Sequence, residues 1–246
     1  MAVGSESMRI REELEVPVWP RPVSVLVVGI LAIAACGPET SSPPEPEGSG
    51  VLHRLPDVAE DHAPGSLEDA IASRRSLRDF AERPLTDGDV GQLLWAAQGI
   101  TDPTPDERRA APSAGGTYPL EVYAVSADGV ARYLPRGHAL EPHLDTDRRR
   151  SLAAAALGQD WIADAPLVLV VTGVIERTSE RYGDHALRFV LLEAGHAAQN
   201  VLLQAVGLGL GAVPVGAFHE EAVTEALRLP DDHAPLYLIP VGHPEP

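Results

Sequence analysis

YGDHALRFVLLEAGHAAQNVLLQAVGLGLG, from Tyr182 to Gly211, sets apolar or small side chains at Leu187, Val190, Leu191, Ala194, Ala197, Ala198, Val201, Leu202, Ala205 and Leu208. This three-to-four spacing predicts a long amphipathic helix that serves as the spine of the core. Gly207, Gly209 and Gly211 can take positive φ, so the helix is expected to stop there and turn into an extended Ala212-Val213-Pro214-Val215. The chemistry is expected to gather near that exit.

Working outward, Leu67 to Arg74 follows Ser66 as a short capped helix, and Thr86 to Gln98 opens with a threonine cap and an acidic first turn before an apolar face of Val90, Leu93, Leu94 and Ala97. Glu121 to Val125 alternates as a strand, with Val130 to Leu134 as its hairpin partner across Asp128-Gly129. Arg148 to Leu157 reads as a helix, Leu167 to Thr172 as a fully buried strand, Glu220 to Leu229 as a last helix and Tyr237 to Val241 as a last strand. Strands and helices do not alternate at βαβ spacing, which favours an α+β fold over a doubly wound sheet.

The 246 residues carry 36 acidic and 19 basic side chains, a formal charge of −17. A protein that tracks phosphate backbones needs a dense basic face, so nucleic acid is not an expected partner. A single cysteine excludes an internal disulfide, a CxxC redox pair and a cysteine-ligated cluster, and redox chemistry would have to come from a bound cofactor. Against the acidic background, Arg74-Arg75-Ser76-Leu77-Arg78 places three arginines in five residues. They suit either a phosphate grip or a solvated helix end that answers the helix dipole. Ala111 to Pro119 is a small, Gly-rich loop, either a plain turn or a place where a flat ligand approaches backbone amides.

Gly207-Leu-Gly-Leu-Gly closes a helix, whereas a dinucleotide fingerprint follows a strand and opens one. GxSxG and GxxxxGK[ST] are absent from the sequence, and no two histidines stand at HExxH or HxH spacing. Hydrolase, NTPase and zinc readings lose their support, and His196 is expected to be a packed or capping histidine.

Val23 to Ala35 is a continuous apolar run after Arg21, shorter than the about 20 residues that span a bilayer, and fits the h-region of a secretory signal. The Ile33-Ala34-Ala35-Cys36-Gly37 that follows resembles the lipobox of bacterial lipoproteins, which implies lipidation at Cys36 and a lipid anchor as the only membrane contact. The expected organisation is a signal region over 1–36, a Pro/Gly/Ser-rich tether over 37–64 and one domain over 65–246, on the outer side of the cell envelope. Met1 to Pro20 is a long lead for such a signal; a start farther downstream is the alternative, and with it a cytoplasmic location.

Taken together, RRSLRDF at Arg74 to Phe80, PSAGGTYP at Pro112 to Pro119, EAGHAAQN at Glu193 to Asn200, GAVPVGAF at Gly211 to Phe218 and PVGHP at Pro240 to Pro244 resemble the nitroreductase-like FMN family, and within it the SagB-type dehydrogenases. The resemblance implies a central antiparallel sheet flanked by helices, and an interlocked homodimer packed along the long helix with two flavin sites at the interface. It also implies that Arg74 and Ser76 hold the FMN phosphate or ribityl chain, with Arg75 beside them. Arg78 is implied near flavin N1 and O2, where a fixed cation raises the potential. Pro112, Ser113 and Ala114 are implied to reach the flavin from the other subunit, and Val215, Gly216 and Ala217 to set a backbone amide toward N5. No side chain is implied as catalytic. The chain departs from the family pattern at Gly216, where many members have Glu, at Gly116 for Asn, and at His185 for the Arg of SagB-type relatives. It also lacks a Lys or Arg after the last strand, which implies looser FMN binding.

The implied activity is ping-pong hydride transfer. Its substrates are nitroaromatics or quinones with NAD(P)H, or a heterocycle in a modified peptide. A lipid-anchored binding protein that keeps the fold without turnover is the alternative.

Overall fold

A computed structural model describes residue 55, residues 62–102, residue 104 and residues 107–245. The signal segment, Cys36 and nearly all of the tether lie outside the described residues. Along the chain run α1 (Leu67–Ser73), α2 (Asp87–Gln98), β1 (Ile100–Asp102), β2 (Arg108–Arg109), β3 (Leu120–Ser126), β4 (Gly129–Leu134) and β5 (Ala139–Leu144). Then come α3 (Arg149–Ala155), α4 (Trp161–Asp164), β6 (Leu167–Gly173), α5 (Ile175–Tyr182), α6 (Ala186–Gly207), β7 (Gly211–Ala212), α7 (Glu220–Leu227) and β8 (Ala234–Gly242).

Every residue of β6 is buried. Its backbone groups are satisfied by antiparallel pairing with β3 on one side and β8 on the other, within the six-stranded order β5-β4-β3-β6-β8-β7. Side chains alternate across the sheet. Leu167, Leu169 and Val171 join Val122 of β3 and Ile239 of β8 in a core covered by α2 and α6. Val168 and Val170 join Tyr123, Val125 and Leu238 in a second core covered by α3, α4 and α7. The fold is α+β, as the sequence indicates, with helices on both faces of an antiparallel sheet.

The helix ends follow their sequence signals. Ser66 Oγ accepts from Asp69 N–H at 3.1 Å, and Thr86 and Asp89 form a reciprocal capping box. On α6, Val190, Ala194, Ala197, Val201 and Ala205 are buried, as the periodicity predicts. The helix stops at the exit glycines as expected, with Gly209 alone of the three at positive φ, because one left-handed residue suffices to end a helix. One expectation is corrected. His196 is exposed rather than packed.

Beneath α7 a polar group is built into the second core. Tyr123 Oη lies 2.8 Å from His233 Nδ1, and His143 Nε2–H donates to the Leu227 carbonyl at 2.8 Å. Burial pushes the Tyr123 phenol up to about 12 and holds His233 below the ordinary histidine range. The unfolded histidine titrates near pH ~6.5, so the contribution of His233 is complete above that pH and declines as pH falls through the folded value. The melting-temperature gap between wild type and His233→Gln is therefore expected to narrow from pH 7 to pH 5; a constant gap would contradict this account.

Candidate functional site

Residues 74–81 leave α1 in extended conformation and dock on the edge of the sheet. Ser76 bridges Ala212 of β7 in parallel, Leu77 N–H donates to the Ala212 carbonyl at 3.3 Å, and Ala81 N–H donates to the His243 carbonyl at 2.9 Å. Two glycines make this seat possible. A Cβ on Gly211 would lie 2.7 Å from Leu77 Cδ2, and one on Gly242 would lie 2.8 Å from Phe80 Cδ1. Both are too close for any other residue without displacing the segment. The exit of α6 is thus where the arginine-rich segment arrives.

Within that segment the helix-end reading holds for Arg75. Arg75 Nη1 donates to the Ala72 and Arg74 carbonyls at 2.8 Å, closing the end of α1. Arg74, Arg75 and Arg78 join no ion pair among the described residues, and Ser76 is exposed beside them. Arg78 lies with its guanidinium carbon 5.4 Å from the Trp161 ring centroid. Residues 213–217 run along β8 next to the same segment, with Val215 and Leu238 exchanging backbone hydrogen bonds of 2.8 and 3.0 Å. Past this pair, the exposed Gly216 and Ala217 donate their amides to no acceptor among the described residues. Gln159 Nε2 donates to the Ala217 carbonyl at 3.3 Å and fixes the turn.

The structure therefore brings Arg74, Arg75, Ser76 and Arg78 together with Val215, Gly216 and Ala217. Two further contributors, Gln159 and Trp161, went unrecognised in the sequence, where a glutamine just before a four-residue helix and a tryptophan at its first position carry no distinctive pattern. Guanidinium groups without carboxylate partners, a hydroxyl able to donate and free amides form a donor-rich set, which fits a phosphorylated ligand with acceptor atoms along one edge.

Pro112, Ser113 and Ala114 are seated elsewhere. Their loop is held by α5 and α6. Ser113 Oγ accepts from Tyr118 N–H at 2.9 Å, Arg181 Nη1 donates to the Gly115 carbonyl at 3.0 Å, Arg177 Nη1 to the Tyr118 carbonyl at 3.1 Å, and Thr117 Oγ1 lies 2.9 Å from Thr178 Oγ1. The loop feeds into Leu120, which pairs with Gly173, whereas Ser76 stands beside Ala212 and hence beside the Leu167 end of β6. At about 3.3 Å per residue those ends are about 20 Å apart along the strand. A cavity of about 1340 Å³ meets the donor set only at Arg78 and Trp161, and seven carboxylates against four arginines on its walls disfavour a phosphate there.

Residues 71–243 match the nitroreductase family. The Methanocaldococcus jannaschii protein named "Putative nitroreductase MJ1384" is 44% identical over 197 residues, covering 77% of this chain and 94% of its own. A Bacillus subtilis "FMN reductase (NADPH)" is 26% identical over 72% of this chain and 65% of its own. The Escherichia coli "Microcin B17-processing protein McbC" is 31% identical over 49% of this chain and 48% of its own. Among solved structures, a putative nitroreductase from Ralstonia eutropha JMP134 superposes with a TM-score of 0.67 at 30% identity, covering 78% of this chain and 88% of that one.

The Gly211 seat is open to a direct check. Gly211→Ala drives a methyl into Leu77 and is expected to cost about 1–3 kcal/mol, read as a lowered melting temperature. A variant that melts with the wild type would show that the segment is not seated against β7.

Proposed function

This chain belongs to the nitroreductase family, and from that premise we propose that it is an FMN-dependent oxidoreductase in which two substrates use one site in turn, the ping-pong scheme. The observation that carries this reading is the convergence of unpaired Arg74 and Arg78 with the free amides of Gly216 and Ala217 at the exit of α6. FMN, when bound, supplies a ring that accepts and returns hydride at N5. Arg74 and Ser76 hold its phosphate, and Arg75 adds positive charge while it closes α1. Arg78, beside the Trp161 ring, would supply a fixed cation to the part of the flavin where negative charge gathers on reduction. The backbone at residues 215–217 orients the ring without a titratable side chain.

A second copy of the chain supplies Pro112, Ser113 and Ala114. Support comes from the seating of that loop away from Arg74, and from the apolar side chains left in water on two helices that pack together. Leu191 and Leu192 of α6 are 50% and 53% exposed, and Leu67 and Ile71 of α1 are 61% and 57% exposed. A face of this kind on a monomer is suited to pairing. The relatives named as FMN reductases favour NAD(P)H as electron donor, and the reading pairs that donor with a nitroaromatic or quinone as acceptor. The partial similarity to McbC favours the second substrate class, a heterocycle in a peptide oxidised in the SagB manner. Lipidation of Cys36 would tether this oxidoreductase to the outer side of a membrane; Cys36→Ser would then release it from the membrane fraction.

The purified protein is expected to be yellow and dimeric by sedimentation, and to give parallel double-reciprocal plots when donor and acceptor are varied. Arg74→Ala removes one charge-assisted phosphate contact of about 1.5–3 kcal/mol and should weaken FMN binding about 10- to 100-fold, measured by quenching of flavin fluorescence. Arg78→Ala should keep more flavin and lower its reduction potential. A colourless wild type that takes up no FMN, or an Arg74→Ala variant with unaltered affinity, would sink this assignment.

A further inference from the structure

Behind residues 112–118 lies a polar cluster that the flavin reading does not use. Glu193, on α6, is 2% exposed, and its Oε1 is buried with no hydrogen-bond partner. Facing it are the Ser113 hydroxyl and the guanidinium of Arg109. That guanidinium is already engaged: Nη1 donates to Gln98 Oε1 at 3.0 Å, and its carbon stands 4.5 Å from the centroid of the Tyr118 ring. Its Nε and Gln98 Nε2 are buried without partners as well. Two turns along the same face of α6, Asn200 Nδ2 donates to the Ala96 and Ala110 carbonyls at 3.2 Å. The other charged groups around the cluster are Glu121 of β3, bound by Arg177 of α5 at 2.7 Å, Arg181 of α5 on the Gly115 carbonyl, and the exposed His196 on α6 itself.

A buried carboxylate oxygen without a donor is costly, whereas a protonated carboxyl in the same place costs far less. Burial lifts Glu193 to about 7, outweighing the opposing pull of Ser113 and Arg109. The observed arrangement, with Arg109 spent on Gln98 and Tyr118, is the one that suits the neutral acid. Ionisation creates a second claimant for one guanidinium, and that guanidinium also holds Tyr118, whose amide fixes Ser113.

We propose that Glu193 is a positioning residue: as a neutral acid it leaves Arg109 on Tyr118 and keeps the loop at residues 112–118 in place, and on ionisation it draws Arg109 away and loosens that loop. The consequence for cofactor binding rests on the reading that Pro112, Ser113 and Ala114 touch FMN. No covalent step is involved, only a proton lost to solvent and a rearranged ion pair.

Two measurements separate the claims. Hydrogen exchange at residues 113–118 of the flavin-free protein, expressed as the rate ratio of wild type to Glu193→Gln so that the intrinsic pH dependence cancels, should sit near one at pH 6 and rise at least threefold by pH 8. Over the same range the FMN dissociation constant of the wild type should rise at least threefold more than that of Glu193→Gln, which stays protonated in effect at every pH. Glu193→Ala, which also cannot ionise, serves as reference should the glutamine variant fold poorly. An exchange ratio that stays at one from pH 6 to pH 8 overturns the proposal whatever the flavin does. A rising ratio with FMN constants that move in parallel for both proteins supports control of the loop and removes the loop from the cofactor site.

Discussion

A strand with no exposed residue can exist only where both of its backbone edges and both of its faces are covered, and β6 imposes that condition on everything around it. Its antiparallel neighbours β3 and β8 satisfy the hydrogen bonds, and strict alternation of its side chains demands two helical layers, α2 with α6 on one face and α3, α4 and α7 on the other. Five aliphatic side chains from Leu167 to Val171, at about 1.5–3 kcal/mol each when fully buried, make this strand a main source of the driving force. Because β8 is committed to β6 on one edge, only its other edge remains for β7 and residues 213–215.

That remaining edge is where the donor set forms. The arginine-rich segment is not carried by a helix or a complete strand; it is laid against the sheet by a few backbone hydrogen bonds, and it comes close enough only because Gly211 and Gly242 present no side chain. The backbone of 74–81 is thereby fixed while Arg74 and Arg78 stay clear of carboxylates among the described residues. In a chain of formal charge −17 this separation leaves a local positive field at the edge of the sheet. The same acidity elsewhere discourages binding of anions at other surfaces.

The loop at residues 112–118 is organised on the opposite principle. Four of its polar groups are bonded by an amide of its own turn and by side chains of α5, and the buried Glu193 and Gln98 and half-buried Arg109 beneath it have more donors and acceptors than they can match. A donor set open to solvent and a loop clamped over an under-satisfied core are thus two different solutions within one fold. One is ready for a ligand, and the other couples backbone position to the charge of a single carboxyl.

Much of this was legible in the amino-acid order. Helical periodicity located α6, a threonine followed by aspartate marked the start of α2, and an unbroken aliphatic run identified β6, because each signal is local and burial acts on consecutive residues. The segments missed were those whose signals are weak or contradictory. α5 reads IERTSERY, whose inward face carries only Ile175 and Tyr182 as large apolar side chains beside Thr178 and Ser179, and β5 is an exposed strand interrupted by Pro142, tolerable only at a sheet edge. The motifs around Arg74, Ser113 and Val215 were recognisable by order alone. Tertiary structure decided that the first and third converge while the second stands apart, that Arg75 closes a helix and Arg78 rests on Trp161, and that Glu193 lies behind the loop. Those relations depend on which strands pair and on how closely glycines let them approach, and neither is encoded by spacing along the chain.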